Sequence, residues 1–142
     1  MQVDPRGQRF AAAVTTLVLV AVLATGSWPL LAAQALVFAI GAGFGPGHSP
    51  YALVFRRLLR PRLGPPRELE DAAAPRFAQS VGLAFAALGT VGYGFAATWL
   101  GVIATAMALA AAFLNAAFGL CLGCELYLLI KRFTPQTRSA SG

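Results

Sequence analysis

From Phe77 to Gly123 the chain carries no Asp, Glu, Lys, Arg or His, and from Phe10 to Pro50 the only residue able to carry charge near neutral pH is His48. These runs are filled with alanine, leucine, valine, glycine and phenylalanine, and a chain of 142 residues cannot hide that much apolar surface in its own interior. A bilayer can. Only 11% of the residues are charged, against about 25% in a soluble domain. The length allows about four crossings and no separate soluble domain.

The runs predict an all-α polytopic membrane protein, with four transmembrane helices built as two helical hairpins. The spans cover about 10–26, 29–45, 77–95 and 99–120, with a helical extension to about 131 and a basic loop over 46–76. Thr25-Gly26-Ser27 marks the first outer turn, Pro29 suits the first helical position, and Trp28 fits an interfacial anchor. From Trp99 to Ile130 the chain is mostly apolar, with Asn115 and Glu125 the main exceptions. As one helix that stretch measures roughly 48 Å, more than a hydrocarbon core of ~30 Å. It must therefore project, tilt or break, and Gly119 and Gly123 are the natural places to bend.

Charge sets the orientation. The net charge of +6 on a soluble chain would raise nucleic acid as a partner, but here the basic residues flank hydrophobic runs and no aromatic-interleaved basic patch is present. Arg6 and Arg9 precede the first span, six arginines fill the middle loop, and Lys131, Arg132 and Arg138 follow the last span. Both termini and the middle loop on the cytoplasmic side satisfy the positive-inside rule throughout. A cleaved signal peptide is the competing reading of the first span, but a cleaved product would have three spans and break the charge pattern. The expected location is the cell membrane, multi-pass. A faint internal echo links Arg9-Phe10-Ala11 with Arg76-Phe77-Ala78, each opening a hairpin.

One arrangement can do chemistry. The two cysteines of the chain, Cys121 and Cys124, form a C-x-x-C pair near the inner end of the last run. On a helix their spacing puts them on one face, close enough to cross-link. Glu125, four residues after Cys121, would share that face and assist proton movement, while its charge opposes thiol ionisation. The structural alternative is two small core hydrophobes. A metal would need ligands from a second chain or partner, since the pair supplies two of the four that zinc takes. Glu125 has its own bland reading, an interfacial carboxylate paired with a loop arginine. Tyr127 reads as an interfacial ring, Asn115 as a helix–helix hydrogen bond, and His48 as a solvated loop residue. Arg56, Arg57, Arg60 and Arg62 lie on a stretch that alternates with Leu53, Val54, Phe55, Leu58 and Leu59. That pattern suits an amphipathic helix on the lipid surface, and the arginines are a topology signal, a lipid contact or a docking surface for an acidic soluble partner. The proline-bearing remainder of the loop reads as extended.

Several blocks carry a resemblance. They are Asp4-Pro5-Arg6-Gly7 with Arg9-Phe10, Gly45-Pro46, Ser49-Pro50-Tyr51, Pro75-Arg76-Phe77-Ala78-Gln79 with Gly82, and Leu114-Asn115-Ala116 followed by Gly119-x-Cys121-Leu122-Gly123-Cys124-Glu125-x-Tyr127. Spread over nearly the whole chain, they resemble an uncharacterised bacterial membrane family, domain-of-unknown-function family 4395. Its members are often encoded beside thioredoxin-like or rhodanese-type proteins. The resemblance implies a thiol-redox or sulfur-handling context and brings no established activity.

The expected function is a membrane component of thiol–disulfide or sulfur-transfer chemistry, with Cys121 and Cys124 cycling at the cytoplasmic interface beside Glu125. A thioredoxin-like or rhodanese-type partner would dock on the arginine loop. The alternatives are a non-catalytic scaffold that tethers such a partner and a small sulfur-compound transport subunit, which would require a homo-oligomer. No sequence feature identifies a cofactor, and none marks a quinone site for onward electron transfer.

Overall fold

The computed structural model describes residues 2–3, 5–64, 70–71 and 73–133. Four long helices dominate: α1 (Pro5–Thr25), α2 (Trp28–Phe44), α5 (Ala73–Gly94) and α6 (Thr98–Phe118). Between α2 and α5 come a 3₁₀ turn (Pro46–His48), α3 (Pro50–Val54), a π-helical turn (Phe55–Leu59) and α4 (Arg60–Leu63). A final helix, α7 (Leu122–Phe133), follows α6. A two-residue antiparallel ladder pairs β1 (Gln2–Val3) with β2 (Glu70–Asp71), tying the start of the chain to the stretch before α5. Among the described residues the fold is all-α apart from this ladder.

The helices start and stop where local chemistry directs. Ser27 caps α2 by accepting a hydrogen bond from the Leu30 N–H at 3.3 Å, with Pro29 in the first turn. The α1–α2 turn passes through Gly26 at φ 66°, and the α5–α6 turn through Ala96 at φ 65°. α5 begins at Ala73, four residues before the apolar run, because Pro75 sits in the first helical turn, where its missing N–H costs nothing. The extended loop expected before Phe77 is shorter for that reason. It also loses Pro61, which lies in the first turn of α4. Pro65, Pro66 and Arg67 lie outside the described residues.

The first helix of each hairpin lies against the second helix of the other: α5 on α2, and α1 on α6. α5 also packs on α6 within its own hairpin, whereas α1 and α2 touch less. Missing side chains allow the close approaches. A Cβ on Gly89 would stand 2.6 Å from Leu31 Cδ2, and one on Gly92 would stand 2.5 Å from the Gly101 backbone nitrogen. Leu19, Val22, Leu31, Ala86 and Ala108 form the shared core.

Two helices, α1 and α6, each of 21 residues, are long and apolar enough to cross a membrane. α2 is apolar but has 17 residues. α5 has 22 but opens with Arg76, Gln79 and Ser80. Among the described residues, length and composition therefore single out two helices where the sequence pattern predicts four spans. Leu17, Leu36, Phe95, Trp99 and Phe118 are exposed on the outside of the bundle.

Candidate redox site and cavity

The cysteines stand at a corner. α6 ends because Gly119 adopts the left-handed conformation (φ 71°, ψ 14°), a conformation glycine enters without Cβ strain. Its N–H reaches the Asn115 carbonyl at 2.9 Å, and the Leu120 N–H reaches that of Leu114 at 3.2 Å. The chain restarts as a helix at Leu122. Cys121 therefore precedes α7 and does not share a helical face with Cys124 and Glu125. It caps α7: its carbonyl accepts from the Glu125 N–H at 3.0 Å, and its Sγ accepts from the Cys124 N–H at 3.1 Å. The two cysteines are joined in a disulfide, with their Cα atoms 5.1 Å apart, and both are half-buried.

α7 is held against the start of α5. A Cβ on Gly123 would stand 2.6 Å from Ala78 Cβ, so only glycine lets the helices meet there. Further along, the rings of Phe77 and Tyr127 pack with centroids 5.6 Å apart. Arg9 of α1 closes the other side of the corner. Its Nη2 donates to the carbonyls of Ala116 (3.1 Å) and Ala117 (3.3 Å) at the end of α6. Glu125 is exposed on the first turn of α7. A carboxylate there, with Lys131 and Arg132 in the last turn, matches the helix dipole at both ends. Among the described residues no group of three or more His, Cys, Asp or Glu side chains is placed to hold a metal ion.

A cavity of about 110 Å³ lies at the same end of the bundle and reaches Cys121. Val37, Phe38 and Phe85 supply apolar wall, and Gln79 and Asn115 add side-chain amides. Gln34, 1% exposed, also lines it. The Tyr51 hydroxyl donates to Gln34 Oε1 at 2.6 Å, while Gln34 Nε2 is buried without a hydrogen-bond partner among the described residues. Burial pushes the Tyr51 phenol above its ordinary pKa, so it stays a donor. Sequence reasoning passed over Gln34, although a lone amide inside an uncharged apolar run is a signal in its own right. Asn115, which reads from the sequence as a helix–helix hydrogen bond, lines the cavity.

The loop arginines lie apart from this cavity. Over residues 50–63 Ala52 and Phe55 are buried, and the Arg6 guanidinium lies 5.9 Å from the Phe55 ring centroid. Arg56, Arg57 and Arg62 are exposed and Arg60 is partly so. Arg56 uses Nη1 to donate to the Gly47 carbonyl at 2.7 Å, closing the turn below it.

Residues 3–132 match the model of the family described as Domain of unknown function (DUF4395), and the chain belongs to that family. No curated protein matches the chain, and no solved structure does.

Proposed function

We propose that this member of the family is a four-span membrane protein whose Cys121–Cys124 pair cycles between disulfide and dithiol at the cytoplasmic end of the bundle. The observation that carries the redox reading is the position of Cys121 at the start of α7, its sulfur on the Cys124 N–H. A helix N-terminus favours a thiolate, and a thiolate so stabilised is a good leaving group in exchange.

The electrons come from a soluble dithiol protein. A thiolate of that partner attacks the Cys124 sulfur, the Cys121–Cys124 bond breaks, and Cys121 leaves as the thiolate. The partner's second thiolate then attacks its own sulfur in the mixed disulfide and releases Cys124. The partner becomes a disulfide, and the pair gains two electrons and takes up two protons from water. Glu125, exposed beside the site, relays protons. Arg57, Arg60 and Arg62 offer such a partner a basic docking face.

Support for four spans comes from the apolar exterior of the bundle, from Trp28 and Trp99 at the hairpin-turn end, and from the basic residues gathered at the other. The direct test is mass-tag alkylation of both cysteines in membranes across a redox titration. A reversible two-thiol couple is expected. Cysteines that stay reduced and unreactive throughout overturn the reading and leave the arginine face as a scaffold for a tethered protein.

A further inference from the structure

We infer that α7 is an interfacial helix. Its stripe of Leu122, Leu126, Leu129, Ile130 and Phe133 is seated at the boundary of lipid head groups and acyl chains, with Lys131 and Arg132 on anionic lipid phosphates. The inference rests on the four-span reading above and does not depend on the cysteines cycling.

The geometry gives α7 three distinct sides. At 3.6 residues per turn the five stripe side chains fall within about 100° of arc. Each is exposed, from Leu122 at 41% to Phe133 at 76%, and α7 has no buried residue. The contact with α5, Gly123 against Ala78 and Tyr127 against Phe77, lies on a flank, about 90° round from the centre of the stripe. Cys124, Leu128 and Lys131 lie on the side opposite the stripe, with Arg132 next to them. One side therefore faces protein, one is apolar, and one is left for water.

Position and charge supply the partner. As a helix of 21 residues α6 measures about 31 Å, which fills a hydrocarbon core of ~30 Å. The turn at Gly119 then falls at the membrane surface, and α7, with 12 residues, is too short to cross. α7 also crosses α5 rather than following it. Four residues along α7, about 6 Å, separate contacts that lie one residue apart along α5, about 1.5 Å. A helix set across the cytoplasmic end of a spanning helix lies near the membrane plane, where acyl chains meet its apolar side. Lys131 and Arg132 stand in its last turn, and basic residues near an anionic leaflet are drawn to it. Residues 134–142 contain no Leu, Ile, Val, Met, Phe, Tyr or Trp that could cover the stripe instead. The same placement leaves Cys124 on the water side, toward a soluble dithiol partner.

The test uses the full chain in nanodiscs of phosphatidylcholine and phosphatidylglycerol, on a Cys121→Ser/Cys124→Ser background. One nitroxide at a time is attached at an exposed position, where it displaces no packing, and its collisions with oxygen and with a water-soluble nickel chelate are compared. Leu126→Cys, Leu129→Cys and Phe133→Cys are expected to favour oxygen. Leu128→Cys, as apolar in the native chain but on the water side, is expected to favour nickel. In phosphatidylcholine alone the Phe133→Cys label should shift toward nickel, and Lys131→Gln/Arg132→Gln should produce the same shift in the mixed discs. Stripe labels that read like Leu128→Cys overturn the inference. Stripe labels shielded from both reagents overturn it too, since protein then covers the face. An unchanged reading without phosphatidylglycerol overturns the anionic contact. Leu36→Cys on α2 and Leu88→Cys on α5, both exposed in mid-helix, separate this inference from the reading it rests on. If they favour oxygen while the stripe does not, four spans stand and the interfacial helix falls. If they too favour nickel, the four-span reading falls with it.

Discussion

Ser49 and Cys121 hold the same position in the two halves of the fold. Each follows a helix that ends at a glycine of positive φ, Gly45 and Gly119. Each caps the helix after it with its own side chain, Ser49 Oγ accepting from the Ala52 N–H at 3.2 Å and Cys121 Sγ from the Cys124 N–H at 3.1 Å. Six residues on, Phe55 packs against Phe10 and Tyr127 against Phe77, with ring centroids 5.9 Å and 5.6 Å apart. Both Ser49 and Cys121 line the cavity. The second half therefore carries sulfur where the first carries a cap hydroxyl and an alanine methyl.

That position predicts an asymmetry between the two thiols. After reduction, Cys121 is expected to alkylate faster than Cys124 below neutral pH, because α7 stabilises its thiolate. In single Cys→Ser variants the rate against pH should differ in the same sense. Equal profiles would remove the helix from the mechanism.

Arg9 and Arg76 are a second symmetric pair. Arg76 donates from Nε and Nη2 to the carbonyls of Ala42 and Gly43, each at 2.6 Å, closing the end of α2 as Arg9 closes α6. Both guanidinia are exposed, and each satisfies carbonyls that a helix end otherwise leaves unpaired. Arg76→Ala should cost about 1 kcal/mol, read by unfolding in mixed micelles. Arg76→Lys should recover part of the loss, since one ammonium cannot reproduce the two-nitrogen contact.

Gly92 and Gly43 separate packing from helix propensity. A Cβ at Gly92 would meet the Gly101 backbone, which cannot move without parting α5 from α6. Gly92→Ala should destabilise by about 1–3 kcal/mol. At Gly43 a Cβ meets nothing within 4 Å, so Gly43→Ala should be neutral or stabilise by up to about 1 kcal/mol. Equal effects at the two positions would contradict the α5–α6 contact.

Tyr51 adds a pH dependence. Burial raises its folded pKa above the ordinary 10.0, so above about that pH the unfolded chain loses this proton while the folded chain keeps it. Stability is fully present below pH 10.0 and falls as pH rises beyond it. Comparing urea midpoints across that range, the Tyr51→Phe protein should fall less steeply.

The family, the all-helical class and the break near Gly119 were legible in the sequence because apolar runs, glycine punctuation and motif blocks are local signals. The C-x-x-C spacing also pointed to a cross-link, and the disulfide is present. Spacing alone does not say whether a helix ends between Phe118 and Leu122. The left-handed turn at Gly119 settles that and turns Cys121 from a face residue into a cap. The echo around Arg9 and Arg76 was visible only as a few matching letters. What those arginines do depends on the α1–α6 and α5–α2 pairings, which no run of residues specifies. Where the helices form follows from local signals, since capping and apolar length act over a few neighbouring residues. That Gln34, Tyr51 and Cys121, from distant parts of the chain, line one cavity follows from how the helices pack, because a cavity is a property of packed helices and of no single segment.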